Sequence, residues 1–286
     1  TISGNDIEWS AFREMTESDD QGPIDFEIDI YGGAISGYGL YNQTTDSARI
    51  VLDKTIPSID NIIPVFSDRS YIIGDSIDFR VEFSEPVYLN PTGESYPFIV
   101  LDIGDSISGA AYIDGSGTQN LIFRYFVSEG DYSQDLEYNS ESAFIFSNGQ
   151  ITDNAGNTTS GLLPSSGTEG SIGFYNILVD GERPFIKAST FYSDHLNSEY
   201  ASLGVGVNLS FITSEPVSTP LVFINGQSVL ITGSGDTLWT ATKSMTDDES
   251  EGLINFSVSV TDVNGNVAGD IHTETTDSSS ISFDIT

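Results

Sequence analysis

The chain has no cysteine, two histidines and only nine lysines and arginines among 286 residues. Without cysteine there is no disulfide, no thiol nucleophile and no thiolate metal site. His195 and His272 belong to no zinc-type spacing, and neither a Gly-x-Ser-x-Gly elbow nor a phosphate-binding loop is present. Paired carboxylates are plentiful, as a glycosidase needs, but they recur at repeated positions, which argues against catalysis. The chain is therefore expected not to be an enzyme. No apolar run approaches the roughly 20 residues of a membrane helix. The chain opens Thr-Ile-Ser-Gly, without an initiator Met or a signal peptide, and is expected to be an internal stretch or a processed product.

The scarcity of bases leaves 43 acids nearly unopposed, for a net charge of −34, and residues 58–183 contain no lysine. Such a surface repels nucleic acid and anionic lipid, so neither is expected as a partner. It also strains the compact state by self-repulsion unless salt or bound cations offset it. Yet 38 % of the residues are hydrophobic, with 17 Phe and 13 Tyr, too many for a disordered acidic tail. The composition fits a folded protein of a salty or calcium-containing exterior. A surface acidic only for solubility is the plainer alternative.

The chain repeats itself. Trp9, Met15-Thr16, Gly22 and Phe26 recur 230 positions later as Trp239, Met245-Thr246, Gly252 and Phe256. After a one-residue slip, Thr44-Thr45-Asp46-Ser47 recurs as Thr275-Thr276-Asp277-Ser278, and Ile50, Asp53 and Thr55 recur as Ile281, Asp284 and Thr286. A tandem array points to length and multivalency before chemistry.

The dominant pattern has period two. Ile77, Phe79, Val81 and Phe83 alternate with polar residues, as do Val205, Val207, Leu209 and Phe211, then Phe256, Val258 and Val260, and Ile281, Phe283 and Ile285. Turn clusters such as Asn148-Gly149, Asn225-Gly226 and Gly233-Ser234-Gly235 separate the runs. These are half-buried antiparallel strands, and the fold class is all-β, built of sandwiches. Breaks at Asp53-Lys54-Thr55-Ile56-Pro57 and Asp180-Gly181-Glu182-Arg183-Pro184 divide the chain into 1–56, 57–182 and 183–286. The first is the C-terminal half of the type completed in the third.

The second and third units are related. Each places Ser-Glu-Pro-Val (84–87 and 214–217) after its second strand, and each later carries Thr-Asp-x-x-Gly-Asn (152–157 and 261–266). Glu85 and Asp153 are 68 residues apart, Glu215 and Asp262 only 47. The difference predicts an extra hairpin or enlarged loops around 100–145.

Together with Gly74-Asp75, Gly115-Ser116-Gly117-Thr118 and Gly130-Asp131 in the second unit, and Trp239-Thr240-Ala241 and Thr276-Asp277 in the third, these motifs resemble the bacterial immunoglobulin-like repeats of very large exported surface adhesins. The absence of cysteine fits long exported bacterial proteins, which avoid misbridging in the periplasm. The resemblance implies tandem immunoglobulin-like sandwiches in an extracellular stalk or filament that projects a tip lying outside this stretch, with an unidentified surface ligand. Neighbouring repeats, and copies of the chain in a filament, are the expected partners. A self-assembling filament or surface layer, and a carbohydrate-binding accessory module of a secreted enzyme, are alternatives.

In such a sandwich the loops after the second and the penultimate strands lie at the end that meets the preceding domain. This predicts two clusters: Glu85, Asp153 and Asp53 or Asp60, with Asn154 or Asn157; and Glu215, Asp262 and Asp180 or Glu182, with Asn264 or Asn266. Converging carboxylates repel, and Ca²⁺, which takes six to eight oxygen ligands in irregular geometry, relieves them. Arg183 is the competing cation at the second joint. The alternative is turn chemistry alone, with Asp capping a loop that needs Gly and Asn at positive φ. Gly32-Gly33 breaks the motif in the first unit. Glu17-Ser18-Asp19-Asp20 and Asp247-Asp248-Glu249 read as solvated loops, and Trp9 and Trp239 as packing residues. Lys187 and Lys243 leave a Lys–Asn or Lys–Asp isopeptide bond open in the third unit.

Overall fold

Ile77, Phe79, Val81 and Phe83 are all buried while Arg80 between them is exposed, because successive side chains of a strand point to opposite faces. The computed structural model describes residues 2–4, 9–29, 40–66, 69–91, 95–104 and 106–285. Among these the regular elements are strands, apart from a single 3-10 turn at Ile172–Phe174. The fold is all-β.

The first segment supplies β1 (Ile2–Gly4), β2 (Trp9–Ala11), β3 (Gly22–Pro23), β4 (Ile28–Asp29), β5 (Leu40–Tyr41) and β6 (Val51–Leu52). They form three antiparallel pairs, β1 with β2, β3 with β6 and β4 with β5.

The second unit contains β7 (Ile59–Pro64), β8 (Arg69–Ile72), β9 (Ser76–Asn90), β10 (Phe98–Ile103), β11 (Ser106–Asp114), β12 (Thr118–Phe126), β13 (Tyr132–Ser133), β14 (Phe144–Ile145), β15 (Gln150–Thr152) and β16 (Ile177–Asp180). One sheet runs β14-β10-β11-β12-β9-β15, with β7 also on β9; the other runs β13-β16-β8, with β16 parallel to β8. Ile62, Tyr71, Phe79, Phe123 and Val179 fill the space between. The β10–β11 hairpin and the short strands β13 and β14 lie in or beside the stretch where extra residues are expected.

The third unit contains β17 (Ile186–Ser193), β18 (Tyr200–Ala201), β19 (Gly206–Thr213), β20 (Leu221–Ile224), β21 (Gln227–Ser228), β22 (Ile231–Ser234), β23 (Leu238–Ser244), β24 (Gly252–Leu253), β25 (Phe256–Ser259) and β26 (Ser282–Phe283). The sheet β17-β19-β23-β22 faces two short ones, β21-β20-β25 and β18-β26-β24. Their core, with Leu209, Phe211, Val222, Ala241, Phe256 and Phe283, is separate from that of the second unit.

The sequence repeat is also a repeat of local structure. Gly22 and Gly252 hold φ of +131° and +119°, and Ser47 and Ser278 hold +62° and +61°. Ile24 N–H donates to Ile50 O at 2.9 Å, and Ile254 N–H to Ile281 O at 2.9 Å. Thr44 Oγ1 donates to Ala48 O and Thr275 Oγ1 to Ser279 O. Gly233 lies opposite Trp239 across β22 and β23, where an added Cβ would fall 2.5 Å from the indole. Trp239 is a core residue as expected, whereas Trp9 is exposed. Gly32-Gly33 and Thr286 lie outside the described residues.

Two expectations are corrected. Asp247 and Asp248 are solvated, but Glu249 is buried, with Oε1 2.5 Å from Nζ of the half-buried Lys243. A charge leaves water only with a partner, and position 243 supplies it. Arg13 and Asp19, at the same repeat positions, form the same pair in the open, with Arg13 74 % exposed. Lys243 therefore ends on Glu249 and Gln227, not on an Asn or Asp, and Lys187 is exposed.

Because burial sets what breaking a charge pair costs, Glu249→Ala is expected to destabilise the third unit by about 3 kcal/mol or more. Asp19→Ala, which breaks the pair that lies in the open, should cost much less. Urea unfolding of the two variants checks this, and equal losses would contradict it.

Candidate metal centres at the two joints

Each Asp-x-x-Gly-Asn loop is a tight hairpin wrapped around its own aspartate. Asp153 N–H donates to Asn157 O, and Asp262 N–H to Asn266 O, both at 3.0 Å. Inside the loop, Asp153 Oδ1 accepts the N–H groups of Ala155, Gly156 and Asn157 at 2.8, 2.7 and 2.9 Å. Asp262 Oδ1 accepts those of Asn264, Gly265 and Asn266 at 2.8, 2.5 and 2.9 Å. Gly156 and Gly265 hold φ of +98° and +115°, a region that side chains avoid. The loop-capping chemistry is thus present in full.

The final Asn of each loop ties the loop to the linker ahead of it. Asn157 Nδ2 donates to Asp153 Oδ2 and to the carbonyl of Asp53. Asn266 Nδ2 donates to Asp262 Oδ2 and to the carbonyl of Asp180. This brings the linker acid beside the loop acid. The Ser of Ser-Glu-Pro closes the third side: Ser84 Oγ accepts Ser58 N–H and Ser214 Oγ accepts Phe185 N–H, and the next residue is the glutamate.

The result is two trios, Asp53–Glu85–Asp153 and Asp180–Glu215–Asp262, each with one carboxylate oxygen per residue within 4.8 Å of the others. Asp153, Asp180 and Asp262 are buried. Burial opposes the charge on Asp153, but the bonds from Asn157, Gly156 and Ala155 outweigh it and hold its carboxyl below the usual range. Burial, then the charges of Asp153 and Asp53, push Glu85 up. Burial, then Asp262, Asp180 and Glu182, push Glu215 up to about 6.

Of the other residues read from sequence, Asp60 is exposed on β7, where it accepts a bond from Ser58 Oγ, and lies outside the trio. Strand alternation turns it away. Glu182 stands outside the second trio, and its charge reaches Glu215. Asn154 is exposed and Asn157 serves the linker. Asn264 Nδ2 reaches Asp180 Oδ2 at 2.5 Å, and Ala155 stands at its position in the first loop.

No basic side chain enters either trio. Lys54 Nζ turns to the carbonyls of Glu17 and Asp19. Arg183 donates to Val267 O at 2.8 Å and faces Glu129 at 3.6 Å. Sequence reasoning missed one feature of the second joint: Ile73 N–H, beside the Gly74-Asp75 turn, donates to Asn266 Oδ1 at 3.1 Å. That bond couples the far end of β8 to the third unit. It also missed that Ser189 Oγ, which lies 2.9 Å from His272 Nε2 and accepts Thr276 N–H, joins the last hairpin to β17.

No family model and no curated protein matches the chain. Among solved structures it is similar to Rst D1-D2, at 11 % identity and a TM-score of 0.30 over 79 % of this chain and 100 % of that one. It is also similar to the fibronectin(III)-like modules of Clostridium thermocellum CbhA, at 10 % identity and a TM-score of 0.28 over 80 % and 94 %.

The raised Glu215 carboxyl has a stability consequence with a definite sign. The folded state holds a proton that the unfolded state releases between the ordinary value of 4.5 and about 6, so this group lowers stability as pH rises through that window. Glu215→Gln mimics the protonated form. In chelator the variant is expected to melt above the parent at pH 7 and to converge with it below pH 4.5. A parent that melts higher at pH 7 in chelator would contradict the assignment.

Proposed function

We propose that this stretch is a spacer of an exported, extracellular bacterial surface protein, adhesin-like in kind. Its successive sandwiches are held in line by calcium at the joints. The observation that supports this reading most is the convergence of three carboxylates at each of two joints, from the linker, the Ser-Glu-Pro segment (inside β9 in one unit, just past β19 in the other) and the Asp-x-x-Gly-Asn hairpin, with the nearby Lys54 and Arg183 turned elsewhere.

The donor set suits the ion. All the donors are oxygens, which hard cations such as Ca²⁺ prefer, and no nitrogen or sulfur ligand favours a softer metal. Asp53, Glu85 and Asp153 would hold one ion and Asp180, Glu215 and Asp262 the other. Bound calcium supplies charge compensation. The protein's own part is to carry the linker acid on one side and the domain acids on the other, so that bending the joint pulls ligands apart. The Asn bridges to Asp53 O and Asp180 O pre-position the linker. Self-repulsion of the −34 surface favours extension further.

Extracellular calcium modules bind with Kd of roughly 10⁻⁴–10⁻³ M, and at a hundred times Kd one site adds about 2.7 kcal/mol. Calorimetric titration of the full chain is expected to find two sites, and chelator should lower the melting temperature and raise the flexibility seen by solution scattering. Glu85→Gln and Glu215→Gln should each delete one site, since neither glutamate caps the hairpin. The second site should be the tighter, because Asn264 and Glu182 stand where the first joint has Ala155 and Thr55. No binding heat together with identical melting in calcium and chelator would overturn the proposal.

A further inference from the structure

The first segment carries one apolar half of a sandwich without the other. Trp9, Phe26 and Ile50 are 68, 39 and 70 % exposed, whereas their repeat partners Trp239, Phe256 and Ile281 are 8, 7 and 0 % exposed. The backbone hydrogen bonds, the turn at Ser47 and the β4–β5 pairing reproduce those of the third unit, so what differs is the cover.

The third unit shows what that cover is. Phe211 lies opposite Trp239 across β19 and β23. Ile224 lies opposite Phe256 across β20 and β25, and the Phe191 ring stands 5.3 Å from that of Phe256. All three covering residues belong to β17, β19 and β20, which precede β22 in the chain. In the first segment β1 takes the place of β22, with Gly4 opposite Trp9 as Gly233 is opposite Trp239. Among the described residues no counterparts of β17, β19 and β20 pair with β2 or β4.

We propose that the face bearing Trp9, Phe26 and Ile50 is a docking surface for a segment of the kind formed by residues 183–230, which carries β17 to β21, joined in the same polypeptide directly ahead of β1. The internal repeat argues for this occupant, because the same face in the third unit is closed by that segment in that order. An apolar face of this extent is seldom left open to water. The pairing does not rest on a bound cation.

The test is a full chain extended by a second copy of residues 183–230 fused ahead of Ile2, studied in chelator. Acrylamide should quench about half of the tryptophan emission of the parent and little of the extended chain. Amide exchange at Gly22–Ile28 and Ile50–Leu52 should slow to that of Gly252–Val258 and Ile281–Phe283. Leu209→Asp with Val222→Asp in the added copy should restore the parent's quenching. Unchanged quenching and exchange in the extended chain would overturn the proposal, as would protection that survives the two aspartates. A chain that sediments as a dimer would show that a second copy is the occupant and would overturn the same-chain source.

Discussion

One carboxylate oxygen that accepts three backbone N–H groups is what each joint is built on. Asp153 Oδ1 and Asp262 Oδ1 are the acceptors, and the hairpins around them have no other centre. Those bonds hold the Asp153 carboxyl below the usual range although it is buried. Its second oxygen is aligned by the Asn amide that also binds the linker carbonyl. Loop, linker and glutamate therefore come together because one buried charge is satisfied. The turn chemistry and the acid cluster are the same structure seen from two sides.

This arrangement concentrates negative charge where neighbouring sandwiches meet. Glu85 and Glu215 bear the cost: burial first, then the neighbouring acids, push both up, with no basic neighbour to offset it. The second joint is the more heavily tied. The Ile73–Asn266 bond, the Arg183–Glu129 pair and the Asn264 amide all act there. The link between second and third units thus has direct contacts of its own, on which a cation would add.

Repetition across the chain separates what local sequence does from what surroundings do. Gly22 and Gly252, or Ser47 and Ser278, share a backbone conformation because turn residues answer to local sterics. Trp9 and Trp239, or Asp19 and Glu249, share a position but not a burial, because burial depends on strands that lie elsewhere in the chain.

Period-two alternation was enough to read the all-β class and the core positions of β9, β19 and β25, and the Asp-x-x-Gly-Asn spacing marked both hairpins, since strand geometry and turn sterics act over a few residues. Which linker acid joins each trio was beyond it. Asp53 rather than Asp60, and Asp180 rather than Glu182, were selected by the Asn157 and Asn266 amides reaching across 104 and 86 residues. The burial of Glu249 by Lys243, the bond from Ile73 to Asn266 and the open face around Trp9 were likewise decided only by tertiary structure. Each depends on which distant strand lies alongside, and a residue's own neighbours in sequence carry no record of that.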